Sequence, residues 1–207
     1  MTTEGYSYAE RKGVPGGALF LTFHGTGGDE HQFTGLAAQL MPDATVISPR
    51  GDVSEYGAAR FFRRTGEGVY DMADLALRTK KMKRFVADLK AKHSPSRVIG
   101  LGYSNGANIL ASVLFEAAGL FDDAVLMHPL IPFEPPENPA LEDIRILFTA
   151  GRNDPICPPP LTERLGDYFR RQGAELRLKW HDGGHGIEPV EIAAIRDFLA
   201  RNRTPAG

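Results

Sequence analysis

Arg97-Val98-Ile99-Gly100-Leu101-Gly102-Tyr103-Ser104-Asn105-Gly106-Ala107 joins an apolar run of strand character to a stretch, residues 107–115, that reads as a helix. At its centre, Gly102-Tyr103-Ser104-Asn105-Gly106 is Gly-x-Ser-x-Gly at a strand-to-helix turn, a geometry that exposes a serine hydroxyl on a strained backbone. The requirement is steric. Strand and helix nearly touch, so the positions two before and two after the serine cannot carry bulky side chains. Gly102 and Gly106 meet that condition, and Gly100 and Ala107 add room. Ordinary turns use the same residue types. The pattern therefore gains meaning only from what the rest of the chain supplies.

The chain has 207 residues and is 42% hydrophobic, which suits a single domain over residues 1–207 with a real core. A net charge of −2 gives no basic field for nucleic acid. No run approaches the roughly 18 apolar residues that cross a bilayer, so no membrane insertion is expected. Met1-Thr2-Thr3-Glu4-Gly5 lacks the basic and apolar regions of a secretory signal. Cys157 is the lone cysteine, which excludes an intrachain disulfide and a cysteine-rich zinc site. A cytoplasmic protein is expected.

Residues 6–11 suggest a short edge strand. Ala18-Leu19-Phe20-Leu21-Thr22-Phe23 is apolar throughout, as a strand buried on both faces is. His24-Gly25-Thr26-Gly27-Gly28-Asp29 comes next, with Asp29 as the expected cap of a helix over residues 31–40. Ala44-Thr45-Val46-Ile47-Ser48 is the next strand. Residues 52–70 show no assignable periodicity. Asp71 then caps a long helix with Leu75, Met82, Phe85, Val86 and Leu89 on one face. Strands are expected at 123–127, 145–150 and 175–180, with helices over 161–172 and 188–202. This alternation predicts an α/β fold, a mostly parallel sheet with helices on both faces.

Sites in such sheets lie beyond the carboxyl ends of the strands. The segments beyond those ends carry His24-Gly25-Thr26, Ser104, Asp154 and His185. A serine hydroxyl needs a base to remove its proton during attack. His185, flanked by glycines, is the candidate base, and Asp154 the carboxylate that fixes its tautomer. His181 is the weaker candidate base. Asp122 and Asp123 precede a strand and so lie at the wrong end, and Asp182 reads as turn-forming. A developing oxyanion needs preorganised donors. Asn105, the residue after the serine, supplies one backbone N–H, and Thr26, with Gly27 behind it, the other. As a phosphate cradle, residues 24–29 fail both the Gly-Lys-Ser/Thr ending and Gly-x-Gly-x-x-Gly. A metal site from His24, Asp29 and His31 has no regular ligand spacing. Neither a metal nor a cofactor is expected.

Four pieces together resemble the α/β-hydrolase superfamily. They are Phe23-His24-Gly25-Thr26-Gly27-Gly28-Asp29-Glu30, Gly102-Tyr103-Ser104-Asn105-Gly106, Gly151-Arg152-Asn153-Asp154-Pro155-Ile156 and Gly184-His185. The nearer resemblance is to its small carboxylesterase/phospholipase branch, which includes acyl-thioesterases and lies near the dienelactone hydrolases. That resemblance implies a triad of Ser104, Asp154 and His185, oxyanion N–H groups from Thr26 and Asn105, and a small-molecule ester substrate. It is also compatible with a homodimer. Asn105-Gly106-Ala107 stands where many such carboxylesterases carry Gln-Gly-Gly. Dienelactone hydrolases typically use cysteine at the elbow, where this chain has Ser104.

A chain this short leaves no room for an inserted cap domain, so an open site for small or short-acyl esters is expected. Candidate pocket walls are Phe61, Phe62, His128, Ile131, Pro132 and Ile156. Arg60, Arg63 and Arg64 read first as a solvated loop and second as candidates for holding a carboxylate or phosphate of a substrate. A thioesterase, a lysophospholipase-type hydrolase and a non-catalytic binding module on the same fold are the alternative functions.

Overall fold

The computed structural model describes residues 2–3, 5–66 and 68–201. Its apolar runs form the strands of one sheet. They begin with β1 (Thr2–Thr3), β2 (Tyr6–Arg11), β3 (Leu19–Phe23) and β4 (Thr45–Pro49), with α1 (Thr34–Leu40) between the last two. A segment outside the main sheet then holds β5 (Val53–Glu55), β6 (Ala58–Arg60), β7 (Arg64–Gly66) and β8 (Val69–Tyr70). The chain continues through α2 (Met72–His93), β9 (Val98–Tyr103), α3 (Asn105–Ala117) and β10 (Asp123–Met127). It ends with β11 (Arg145–Gly151), α4 (Pro159–Arg171), β12 (Glu175–His181) and α5 (Pro189–Ala200).

The sheet order is β1-β2-β4-β3-β9-β10-β11-β12. β1 and β2 are antiparallel to their neighbours, and every pair from β4 to β12 is parallel. Strand order reverses between β3 and β9, where a parallel sheet opens a crevice at its carboxyl edge. Alternation along the strands sorts side chains to two faces. Leu19, Leu21 and Phe23 pack with Phe85, Leu110 and Phe169 of α2, α3 and α4. Phe20, Ile99, Leu101 and Val125 pack with Ala37 of α1 and Ile195 and Phe198 of α5. Among the described residues, no helix is long and apolar enough to cross a membrane.

Three local expectations change. The first helix starts at Thr34 rather than after Asp29, because the Asp29 carboxylate accepts the His31 N–H in a turn. A two-residue strand, β1, lies outside residues 6–11, so those residues do not form the edge. The described part of residues 52–70 holds two antiparallel strand pairs, β5–β6 and β7–β8, with strands of two or three residues. Elements so short carry no readable period. The turn of the first is Tyr56-Gly57, with φ of 50° and 90°, the left-handed pair that a tight hairpin needs. Asp71 caps α2 as expected, accepting the Asp74 N–H.

Asp123 sits fully buried at the amino end of β10. It pairs with Arg97 and, at 3.3 Å, with Arg145. Arg145 also donates to the carbonyls of Phe198 and Arg201, both at 2.7 Å, closing the end of α5. Removing one partner of a buried ion pair leaves the others uncompensated. Asp123→Ala is expected to lower unfolding free energy by about 3 kcal/mol with an unchanged denaturant slope, read by urea titration. A loss below about 1 kcal/mol would show that these arginines find water instead.

Candidate active site

The elbow is built by close approach of backbone. A Cβ at Gly102 would lie 2.5 Å from the Gly106 carbonyl oxygen, and one at Gly106 would collide with the carbonyls of Phe23 and His24. Ser104 between them takes φ 53° and ψ −116°, outside the ordinary regions for an L residue. Its Oγ lies 2.9 Å from Nε2 of His185. Nδ1 of His185 lies 2.7 Å from Oδ2 of Asp154. The structure thus brings together three residues spread over 81 positions of sequence.

Two adjacent loops hold the imidazole. The loops after β11 and β12 are joined by bonds from Arg152 N–H to the His181 carbonyl and from Asn153 N–H to the Gly183 carbonyl. A Cβ at Gly151 would sit 2.5 Å from the Gly183 oxygen, so glycine permits that approach. Tyr103, the residue before the serine, donates its hydroxyl to the His185 carbonyl at 2.8 Å. Asp182 points away, exposed, and contacts Arg152 at 3.8 Å.

Asp154 is fully committed. Oδ1 accepts the N–H groups of Ile156 and Cys157, while Oδ2 meets Nδ1 of both His185 and His128. Burial raises its pKa, but these donors outweigh burial and hold it below the usual carboxylate range. A carboxylate only accepts, so both Nδ1 atoms carry protons. In neutral His185 the Nε2 lone pair therefore faces the serine hydroxyl and can take its proton.

Asn105 is the first residue of α3, so its N–H has no carbonyl within the helix. Its side-chain oxygen accepts the Phe61 N–H at 2.7 Å. Across the crevice, Thr26 Oγ1 accepts from Arg60 at 2.8 Å. Gly27 N–H is already used by the Ala59 carbonyl, leaving Thr26 as the donor candidate of the two. A cavity of about 310 Å³ opens over Ser104 and His185, walled by Arg60, Arg64, Tyr70, Tyr103, Leu130 and Ile156 among others.

A family model for the dienelactone hydrolase family matches residues 61–189. This chain belongs to the dienelactone hydrolase family. It is 40% identical over 182 residues to the Bacillus subtilis (strain 168) protein named "Putative hydrolase MhqD", covering 87% of this chain and 91% of that one. The crystal structure of Atu2452, a protein of unknown function from Agrobacterium tumefaciens str. C58, is 57% identical with a TM-score of 0.91, covering 94% of this chain and 96% of that one. A Bacillus cereus carboxylesterase structure is 33% identical with a TM-score of 0.86, covering 94% and 93%. The protein is a hydrolase of the dienelactone hydrolase and carboxylesterase type, with an α/β-hydrolase fold.

Within this dienelactone hydrolase family member, most of the pocket walls expected from sequence lie elsewhere. Phe61, Phe62, His128 and Ile131 are all buried and do not line the cavity. Phe61 and Phe62 face inward because the hairpins on either side turn the chain over the sheet, where Phe23 and Tyr70 pack edge-on against them. Ile156 does line the cavity. Arg60 is buried rather than solvated. It donates to the Phe62 carbonyl and pairs with Glu55 at 3.2 Å. Arg64 pairs with the same carboxylate at 2.9 Å, whereas Arg63 is exposed. Tyr70 and Asn108 were not expected at the site. Tyr70 donates to the Leu130 carbonyl and accepts from Asn108 at 2.7 Å. Their sequence signal was weak, a polar residue one turn into an apolar helix and an aromatic at the end of an unassigned segment.

His24 is also internal to the fold. Its Nε2 accepts the Gly51 N–H at 2.9 Å, so Nδ1 carries the proton donated to the Gly25 carbonyl. Burial lowers its pKa, in keeping with a neutral ring. Cys157 is buried with its thiol pKa pushed up by burial, and its Sγ donates to the His128 carbonyl at 3.2 Å. Among the described residues, two ligand-type clusters are compact enough for an ion, His128/His181/Glu191 and His128/Asp154/His185. His181 Nδ1 accepts the Gly183 N–H, so its Nε2 is protonated towards Glu191 and is not a free lone pair. In the second cluster both histidine Nδ1 atoms are spent on one Asp154 oxygen.

His128 Nε2 lies 3.1 Å from Glu191, an ion-pair contact without a straight hydrogen bond. Burial lowers the His128 pKa, but Glu191 and Asp154 on its two sides outweigh that and raise it. The Glu191 pKa is raised by burial and lowered more by His128, Thr149 and the Glu188 N–H. Stability from the two carboxylates is present above the unfolded carboxylate range and lost as pH falls below about 4. Stability from His128 is complete below about pH 6.5 and lost as pH rises through its higher folded pKa. Thermal melts are expected to show both declines, and His128→Gln to flatten the alkaline one. An alkaline slope unchanged in that variant would place the titrating group elsewhere.

Proposed function

We propose that the chain hydrolyses small or short-acyl carboxylic esters through an acyl-Ser104 intermediate. The observation that carries this reading is the unbroken line from Ser104 Oγ through His185 to Asp154, at 2.9 and 2.7 Å. In this reading Ser104 Oγ attacks the ester carbonyl carbon as His185 Nε2 takes the hydroxyl proton. The carbonyl oxygen becomes an oxyanion facing the N–H groups of Asn105 and Thr26. Asp154 holds the tautomer and balances the imidazolium. Collapse breaks the bond to the leaving alcohol, which receives the proton from His185. Water then repeats the attack, with His185 as base again, and the acid leaves while the proton returns to Ser104.

The elbow supports the same reading, since its backbone strain is confined to the residue whose hydroxyl must be exposed. The size of the cavity favours small substrates, lying at the lower end for ligand pockets. Likeness to a carboxylesterase favours oxygen esters over thioesters.

A fluorophosphonate probe is expected to add once, at Ser104, as read by mass spectrometry of the folded protein. Ser104→Ala is expected to lose the adduct and to lower p-nitrophenyl acetate turnover by at least about a thousandfold, with an unchanged melt. Folded protein that takes no probe, or a variant with undiminished turnover, would remove Ser104 from the chemistry.

A further inference from the structure

The cluster behind Asp154 is costly to bury. Asp154, His128 and Glu191 are all internal, and the last two have no exposed surface. Replacing such a cluster with apolar groups usually leaves a protein as stable or more so, so stability alone is a poor reason for its presence. Its position is more telling. His128 and His185 meet the same oxygen of Asp154, at 2.8 and 2.7 Å, from two sides. Oδ1 is closed by two backbone N–H groups. The carboxylate therefore has a donor in each direction and no freedom to turn.

The proton count comes from the contacts. Nδ1 of His128 faces an ionised Asp154 and carries a proton. Nε2 faces the Glu191 carboxylate, whose other oxygen already accepts the Glu188 N–H at 2.6 Å and lies 3.4 Å from His181 Nε2. A lone pair on Nε2 would confront an anion, so a proton belongs there too. The other titratable groups around the ring are His185 at 5.0 Å, His181 at 5.4 Å and Tyr103 at 5.8 Å, centroid to centroid. The Cys157 thiol meets the His128 carbonyl at 3.2 Å. His128 reaches this place because it ends β10 in a left-handed turn, φ 50°, between the elbow and the Asp154 loop.

We propose that His128 and Glu191 are positioning residues for the hydrolysis: His128, a cation clamped between two carboxylates, locks Asp154 and opposes a second positive charge on His185 until Ser104 attacks. The proposal rests on the serine-hydrolase reading above. It has two effects. The lock keeps His185 aimed at the serine. The nearby cation, its ring 5.0 Å from that of His185, opposes a like charge there before the serine attacks.

Glu191→Gln separates these effects. Its amide oxygen can take the Glu188 N–H, and its amide N–H can face His128 Nε2. The ring then sheds one proton and keeps the Nδ1 donor to Asp154. In protein labelled with 15N-histidine, the wild type at pH 7 is expected to show a buried ring protonated on both nitrogens, which Glu191→Gln lacks. A wild type without such a ring overturns the proposal, with no variant required. In the kcat/KM profile for p-nitrophenyl acetate, normalised by fluorophosphonate titration of active sites, the acidic limb of Glu191→Gln is expected to move up by about half a pH unit or more. His128→Gln, which loses the lock, is expected to lower kcat about tenfold with KM within about twofold. A merely structural cluster would reduce the active fraction and leave the profile in place. Profiles that superimpose, in an active wild type and a folded variant, sink this proposal alone. A wild type that neither takes the probe at Ser104 nor turns over the ester sinks the hydrolase reading, and this proposal with it.

Discussion

Between β9 and α3 there is no space for a methyl group, and the site is a consequence of that contact. Gly102 lies against the Gly106 carbonyl, and Gly106 against the carbonyls that end β3. Three backbone segments meet where side chains would hold them apart. The chain can turn from strand to helix there only by forcing Ser104 into φ 53°. That turn lifts the hydroxyl off the sheet edge and starts α3 with an unpaired Asn105 N–H beside it. The same contact brings the loop after β3, with Thr26, to the opposite lip. The candidate nucleophile and both candidate oxyanion donors thus come from one steric constraint.

The other half of the site depends on parallel pairing. β11 and β12 lie side by side in register, Gly151 opposite His181, so their trailing loops leave the sheet together. The loops are cross-bonded, and Tyr103 ties the second of them back to the elbow. The imidazole of His185 is thereby fixed from the backbone, from Asp154 and from the hydroxyl it faces. Electrostatics completes what packing begins. Burial alone would favour a protonated Asp154, and four converging donors reverse that preference.

The fold was legible because buried parallel strands have a strong signature. Leu19 to Phe23 and Arg145 to Gly151 are unbroken runs, and an unbroken run bounded by glycine needs no partner to be recognised. The residues that meet at the candidate site were legible for a related reason, since each comes after a strand and the carboxyl edge gathers the loops that leave strands. The pocket walls were not. Phe61 and Phe62 read as loop residues because the hairpins flanking them have strands of two or three residues, too short to alternate. Arg60 read as solvated, as most arginines are, while its burial depends on Glu55 and Thr26, partners that no local pattern reveals. His128 was placed at the correct edge of the sheet but on the wrong side of the cavity wall, since a left-handed turn at the end of β10 sends its ring inward.

Those unreadable contacts join the pocket to the elbow. Asn105 holds the Phe61 N–H with its side chain while its backbone N–H opens α3 next to Ser104. Arg60 holds Thr26 from the next residue of the same segment. Each candidate oxyanion donor is therefore tethered to the hairpin segment that also supplies Arg60, Arg64 and Tyr70 to the cavity. The cavity wall and the two candidate oxyanion donors are mechanically linked in this arrangement. A shift of the β5–β6 hairpin and the residues just after it carries both along, because Arg60 and Phe61 bond the wall to Thr26 and Asn105 as one unit.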